Sequence, residues 1–300
     1  MDVKAFAKIN LGLDVLCRRP DGYHEVSMIM QSIELCDELR LEPLCEDEIR
    51  LSMSGQGPDV PLDERNIIYK AARLMRETYG IEQGVSISAV KHIPSQAGLG
   101  GGSADAAAVL RGMNELFSLG RSRQELAELG LRLGADVPFC VMEGTALAEG
   151  IGERLTALTQ APFCHVLLCK PSEGISTKDI YEAIDGSGLM EDQESSRIRK
   201  EHMKELIRAV KEADRELLSG ELFNIFEEVT AKRLPYIMEL KERLMRLGAM
   251  GALMSGSGPT VYGLFRDRSA LKEAYVALLP ELWEGRLSEL IRTGFLKDPG

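Results

Sequence analysis

The hydrophobic pattern opens on a strand. From Val3 to Cys17, apolar residues alternate with polar or small ones over much of the length, the period of a half-buried strand. Arg18-Arg19-Pro20-Asp21-Gly22 interrupts that period with proline and Asp-Gly and predicts a turn. Ser27–Ile33 and Glu48–Met53 read as two further strands, and a glycine- and proline-rich turn follows over Gly55–Pro61. Asn66 is then placed to cap a helix whose apolar positions Ile67, Ile68, Ala71, Ala72, Leu74, Met75 and Tyr79 fall mostly on one face. Val85–Val90 alternates as a strand and runs on into Pro94.

From Ala104 the period lengthens from two to about 3.6: Ala107, Leu110, Met113, Asn114 and Phe117, with Ala106, Val109 and Leu116 beside them, predict an amphipathic helix. Ser122-Arg-Gln-Glu125 has the capping-box pattern and opens a helix through Leu126, Leu129 and Leu133 that ends near Gly134. A strand pair is expected at Phe139–Val141 with Ala146–Glu149, and another strand at His165–Lys170. Between Gly186 and Ser196 the chain is polar, small and acidic and reads as a mobile loop. Helices are expected at 201–218 and at 234–247, the second with Pro235 in its first turn and Gly248 at its close. Met250–Leu253 and Thr260–Phe265 read as short strands around Ser255-Gly256-Ser257-Gly258-Pro259, ahead of a final helix at 270–279. The period alone therefore gives mixed helices and strands. At about 150 residues per domain, a chain of 300 residues is expected to form two lobes, divided here into 1–155 and 156–300.

Composition narrows what these elements can serve. With 44% hydrophobic and 28% charged residues the chain can bury a large core. Its 36 basic against 47 acidic residues leave a net charge of −11, so attraction to nucleic acid or an anionic membrane is not expected to drive function. Nucleic-acid binding through the basic run Arg197–Lys204 is disfavoured, because Glu201 and Glu205 break it up and the rest of the chain is acidic. No segment approaches the roughly 18 apolar residues of a membrane span. Asp2, Lys4 and Lys8 stand where a signal peptide would be apolar, so a cytoplasmic location is expected. The six cysteines form no C-x-x-C pair and no grouping with the four histidines, and are read as reduced, mostly packed thiols.

The sharpest local signal is Pro94-Ser95-Gln96-Ala97-Gly98-Leu99-Gly100-Gly101-Gly102-Ser103-Ala104. Closely spaced glycines let backbone N–H groups point into one concavity, and a helix beginning after Ser103 adds unsatisfied donors and the positive end of its dipole. A di- or triphosphate suits that description. No Gly-Lys follows, so the loop is not a Walker A sequence, and Ser103 stands where a dinucleotide fingerprint would end in glycine or alanine. A turn that only lets a helix pack closely would use the same glycines.

Three segments, in order, resemble motifs of the GHMP kinases, the superfamily of galactokinase, homoserine kinase and mevalonate kinase. They are Ala7-Lys8-Ile9-Asn10-Leu11, Pro94–Ala108 and Ser255-Gly256-Ser257-Gly258-Pro259-Thr260. Arg18–Glu25, Leu133–Phe139 and Ala148–Glu153 resemble, more narrowly, the branch that phosphorylates an alcohol bearing a cytidine diphosphate group in the non-mevalonate route to isoprenoid precursors. The likeness extends to about residue 265, and no motif is matched between 185 and 232. It implies an α+β fold with an N-terminal lobe like ribosomal protein S5 domain 2, carrying ATP, and a ferredoxin-like, substrate-side C-terminal lobe whose βαβ crossover is left-handed against the usual preference.

The resemblance also implies roles. Asp136 is the base that accepts the proton of the acceptor hydroxyl, and Lys8 keeps that carboxylate ionised and orients the hydroxyl. Taken singly, an Asp before Val-Pro is ordinarily a turn residue and a Lys on a strand a solvated charge. Residues Pro94 to Ala104 hold ATP with its Mg2+, Ser103 donating to a phosphate or approaching the ion, and no carboxylate is singled out as a metal ligand. Tyr23, His24 and Tyr181 grip the cytosine. From its spacing, Asn10 shares a strand face with Lys8 and is placed to hold the acceptor's polyol or a phosphate. Gly256, Ser257 and Gly258 are expected to lie against the glycine loop and let backbone approach the substrate, though a tight hairpin turn would use the same glycines. Ala104 and Asp105 stand where a Ser-Asn pair is common in the family. Two alternatives stay open at this point: a GHMP kinase for homoserine or mevalonate, and a nucleotide-binding sensor that keeps the fold without turnover.

Overall fold

The computed structural model describes residues 1–55 and 60–297. The predicted Gly55–Pro61 turn therefore lies, for residues 56–59, outside the described residues. In chain order the first elements are β1 (Asp2–Arg18), β2 (His24–Leu44), β3 (Ile49–Gly55), α1 (Ile67–Tyr79), β4 (Gly84–Lys91), α2 (Gly101–Leu116), α3 (Arg123–Gly130), α4 (Val137–Met142), β5 (Thr145–Gly150) and β6 (Arg154–Ala157). They are followed by β7 (His165–Pro171), α5 (Thr177–Asp185), α6 (Gln193–Glu212), α7 (Arg215–Gly220), β8 (Phe223–Asn224) and α8 (Glu227–Arg233). The chain closes with α9 (Tyr236–Arg246), β9 (Gly251–Met254), β10 (Val261–Phe265), α10 (Arg268–Trp283) and β11 (Leu287–Gly294). The mixture of helices with two sheets is of the α+β class expected.

Two compact units emerge, one from Met1–Lys8, Leu35–Ser95 and Gly100–Glu143, the other from Ile9–Glu34, Gln96–Leu99 and the chain from Gly144 onward. In the first, the strand order is β3-β4-β2-β1. β3 runs parallel to β4 with Ile49 opposite Val85, and β4 runs antiparallel to the second half of β2 with Val90 opposite Glu38. The Leu41 N–H donates to the Met1 carbonyl at 2.8 Å. Asn66 caps α1 as predicted, its side chain accepting from the Ile68 N–H, and the Ser122–Glu125 capping box opens α3.

Three predictions in this unit need correction. α2 begins at Gly101 rather than after Ser103, and residues 104–110 are buried on every side, so it is not amphipathic. Gly112 shows the tightness of that packing: a Cβ there would stand 3.0 Å from Val3 and 3.1 Å from Leu41. The strand expected at Phe139–Val141 is helix α4, which has Asp136 at its N-cap and Pro138 in its first turn. In a segment apolar at nearly every position the period cannot separate strand from helix, and the proline was the better guide. α3 ends at Gly130, a turn earlier than expected.

In the second unit the first half of β2 pairs antiparallel with β5, Val26 opposite Gly150, β5 pairs with β6, and β8 lies parallel beside β1 with Phe223 opposite Gly12. Ala146–Glu149 is thus a strand, but its partners are β2 and β6. A separate antiparallel sheet has the order β11-β7-β10-β9, with α9 and α10 packed on it. The predicted loop over 186–196 is helical from Gln193, where Asp192 caps α6 by accepting from the Glu194 N–H at 3.1 Å. The helix expected at 201–218 is divided between α6 and α7, with Ala213 in the left-handed region between them. Among the described residues no helix is long and apolar enough to cross a membrane. Cys140, Cys164 and Cys169 are buried, but Cys17 and Cys45 are exposed and Cys36 is half-buried, so fewer thiols are packed than expected.

Candidate active site

Within the first unit, β1 carries Lys8 into a buried position while Asp136 stands at the start of α4. The Lys8 Nζ lies 3.7 Å from Asp136 Oδ2, and the carboxylate side chain keeps 33% of its exposure. The glycine loop closes over the lysine stem. Gly100 has φ 70°, and a Cβ on it would come within 3.0 Å of Lys8 Cγ and 3.3 Å of Cε. A larger residue here would therefore be strained by its backbone and crowded by the lysine.

Gly100 is also the N-cap of α2 and brings no capping side chain to the helix terminus. Gly102 is exposed, and a Cβ on it would meet nothing closer than Ile67 at 3.7 Å. Open backbone thus stands at the positive end of a 16-residue helix, beside a buried ammonium, an arrangement that favours anions. Ser103 is half-buried in the first turn, Pro94 and Ala104 are buried, and Ser95 is exposed. Among the described residues no three His, Cys, Asp or Glu side chains group to hold a metal ion.

A second cluster in this unit escaped the sequence reading. Lys91 on β4 bridges the carboxylates of Asp37 on β2 and Asp105 on α2, and all three are buried. The other Asp37 oxygen accepts from the backbone N–H groups of His92 and Ile93, leading into the glycine loop. Burial, the largest cause, pushes the Asp105 carboxyl up to about 7 against the pull of Lys91, and Asp105 Oδ1 has no hydrogen-bond partner among the described residues. The signal was in the pattern: Asp37 shares strand parity with buried Leu39 and Leu41, and Lys91 with buried Ile87 and Ala89.

In the second unit Gly98, at φ 73°, lies so close to the turn after β9 that a Cβ would stand 2.1 Å from the Ser255 carbonyl oxygen. The Ser255 hydroxyl donates to the Gly98 carbonyl at 2.8 Å. Gln96 is exposed, and Ala97 and Leu99 are buried. The Asn224 amide, which sequence reasoning missed, donates to the carbonyls of Met254 and Gly256 at 2.8 Å each and fixes the turn carrying Gly256, Ser257 and Gly258. Ser257 Oγ lies 2.7 Å from Thr177 Oγ1 at the start of α5. Asn10 is buried on β1, its side-chain amide near Met28 Sδ at 3.5 Å and its backbone carbonyl accepting from the Tyr262 hydroxyl at 2.8 Å.

The aromatic residues named from sequence are only partly gathered. His24 and Tyr181 stack, ring centroids 4.6 Å apart at 26°, and Tyr181 meets Phe226 edge-on at 5.0 Å. Tyr23 instead stands 62% exposed, its backbone N–H donating to Asp21 Oδ1 at 3.1 Å. Asp185, at the end of α5, lies with Oδ1 2.7 Å from His24 Nε2.

Residues 66–144 match the family model described as the GHMP kinases N terminal domain, and residues 203–285 match GHMP kinases C terminal. The chain belongs to the GHMP kinases and is a small-molecule phosphotransferase. It is 46% identical over 279 residues, 93% of this chain and 92% of the relative, to a 4-diphosphocytidyl-2-C-methyl-D-erythritol kinase of Geobacillus thermodenitrificans. The enzyme of that name from Bacillus subtilis is 45% identical over 277 residues, 92% of this chain and 91% of the relative. A crystal structure of 4-(cytidine 5'-diphospho)-2C-methyl-D-erythritol kinase superposes with a TM-score of 0.77 at 33% identity, covering 99% of this chain and 100% of the other. A homoserine kinase from Cytophaga hutchinsonii reaches a TM-score of 0.80 at 20% identity over 98% and 94% of the two chains, a likeness of fold. Within the GHMP kinases, the family is that of 4-diphosphocytidyl-2-C-methyl-D-erythritol kinase.

Proposed function

We propose that this chain transfers the terminal phosphoryl group of ATP to the 2-hydroxyl of 4-diphosphocytidyl-2-C-methyl-D-erythritol, in the non-mevalonate supply of isoprenoid precursors. The observation that carries the reading is the Lys8–Asp136 pair at 3.7 Å, with Gly100 pressed on the lysine at the open N-terminus of α2. Asp136 takes the proton of the hydroxyl as its oxygen bonds to phosphorus and the bond to the leaving ADP breaks. Lys8 favours the ionised carboxylate and offers positive charge where the transferring group is negative. Pro94 to Ala104, including the first-turn amides of α2, hold the polyphosphate, and Ser103 is the hydroxyl offered to a phosphate or to the ion. Mg2+, if carried with the polyphosphate beside Ser103, would offset negative charge on the phosphates.

In the same reading His24 and Tyr181 receive the cytosine, and exposed Tyr23 closes on its face. Asn10 and Gly256 to Gly258 take the remainder of the acceptor. The division of labour between 1–155 for ATP and 156–300 for the acceptor side, and a cytoplasmic location, belong to this proposal. A substrate panel with ATP tests it. Phosphorylation of the cytidine diphosphate alcohol is expected. Phosphorylation of homoserine or mevalonate in its place overturns the substrate assignment, and ATP binding with no turnover of any acceptor overturns the catalytic one.

A further inference from the structure

Asp185 was assigned no role above, and its place against His24 gives it one. An ionised carboxylate is an acceptor only, so the contact at 2.7 Å requires the hydrogen of the imidazole to sit on Nε2. Tyr181 covers a ring face at 4.6 Å, and the His24 side chain retains 9% of its exposure. Asp185 is itself steadied by Arg18, whose guanidinium lies 3.5 Å from its other oxygen. The ring is thus fixed in position, its neutral form carries its one hydrogen on Nε2, and Nδ1 has no protein partner among the described residues. In a neutral imidazole so held, Nδ1 is a hydrogen-bond acceptor and cannot donate.

Cytosine presents an amino group at C4, a donor, where uracil presents a carbonyl oxygen, an acceptor. We propose that Asp185 is the positioning residue that makes this site select cytosine over uracil, by holding His24 so that Nδ1 accepts from the 4-amino group. This rests on the reading that His24 and Tyr181 receive the base. A uracil in the same place would set its C4 oxygen against the Nδ1 lone pair, leaving both unpaired. Mismatches of this kind discriminate far more strongly than a missing methylene does.

The test compares the cytidine diphosphate substrate with its uridine diphosphate analogue. The wild type is expected to favour the cytidine compound by roughly 1,000-fold or more in kcat/KM. Asp185→Ala is expected to raise KM for the cytidine compound about tenfold, with a much smaller change in kcat, and to narrow the preference to about tenfold or less. Asp185→Asn, whose carbonyl can still accept from Nε2, is expected to retain more of the preference than Asp185→Ala. Nitrogen-15 shifts of the His24 imidazole supply a readout independent of packing: hydrogen on Nε2 in the wild type, and a mixture of tautomers in Asp185→Ala.

A wild-type ring with its hydrogen on Nδ1 overturns the proposal without any variant. So does an unchanged cytidine-to-uridine ratio in Asp185→Ala, provided His24→Ala raises KM. If His24→Ala leaves KM for the cytidine compound unchanged, the base site itself is misassigned and the underlying reading fails with it.

Discussion

The first unit contains two lysine–carboxylate clusters that differ in one respect. Lys91 is sealed between Asp37 and Asp105, so its charges are spent on joining β2, β4 and α2, and no face is left for a ligand carboxylate or hydroxyl. Lys8 is equally buried, but its partner Asp136 remains one-third exposed at the start of a short helix. A carboxylate serves as a base only if a substrate proton can reach it. Burial of the lysine is common to both clusters; access to the acid separates them, and on that ground the first is read as structure and the second as chemistry.

The largest effect that could break the comparison is on folding. Lys91→Met leaves two buried carboxylates without their cation and is expected to cost about 3–5 kcal/mol, read from urea unfolding midpoints. A variant that stays fully stable but loses turnover would mean that Lys91 acts on substrate and the contrast is false. Next comes catalysis. Asp136→Ala and Lys8→Ala are each expected to reduce kcat at least ~100-fold, with Asp136→Ala melting close to the wild type. Wild-type rates in both variants would remove the catalytic assignment.

A pH series sharpens the sealed side. The Asp105 carboxyl is raised to about 7 by burial, above its value in the unfolded chain, so the folded state binds the extra proton. Stability contributed by that proton is present at low pH and is lost as pH rises through the folded value. The melting temperature of the wild type, measured against Asp105→Asn, should therefore fall between about pH 4 and pH 7. A flat difference would show that Asp105 stays ionised throughout. The smallest effect is a control: Ser122→Ala removes the α3 cap, distant in role from either cluster, and is expected to cost about 1 kcal/mol with kcat unchanged.

What could be read from sequence follows from where each element gets its stability. β1, α1 with its Asn66 cap and α3 with its capping box carry local signals, and the structure places all three. Lys8 and Asp136 were named through motif resemblance, since neither period nor propensity distinguishes a buried functional charge from an exposed one. α4 was missed because it is buried along nearly its whole length, and the start of α6 because its polar residues gave little apolar period of their own. The two-residue strand β8 exists by pairing with β1 and has no signature of its own. The sealed cluster was legible only if a charged residue on the core parity of a strand is taken as a demand for a distant partner.

The distribution of thiols has a practical consequence. Cys140 and Cys169 are pushed well above the usual range by burial, and Cys164 to about 11, so in the native state alkylating reagents should spare them. Cys17 and Cys45 are exposed, and Cys17 immediately precedes the Arg18 that pairs with Asp185. With Cys45 removed, a fluorophore on Cys17 would sit beside the Arg18–Asp185 pair, and on the proposed reading of the base site its emission would follow acceptor binding.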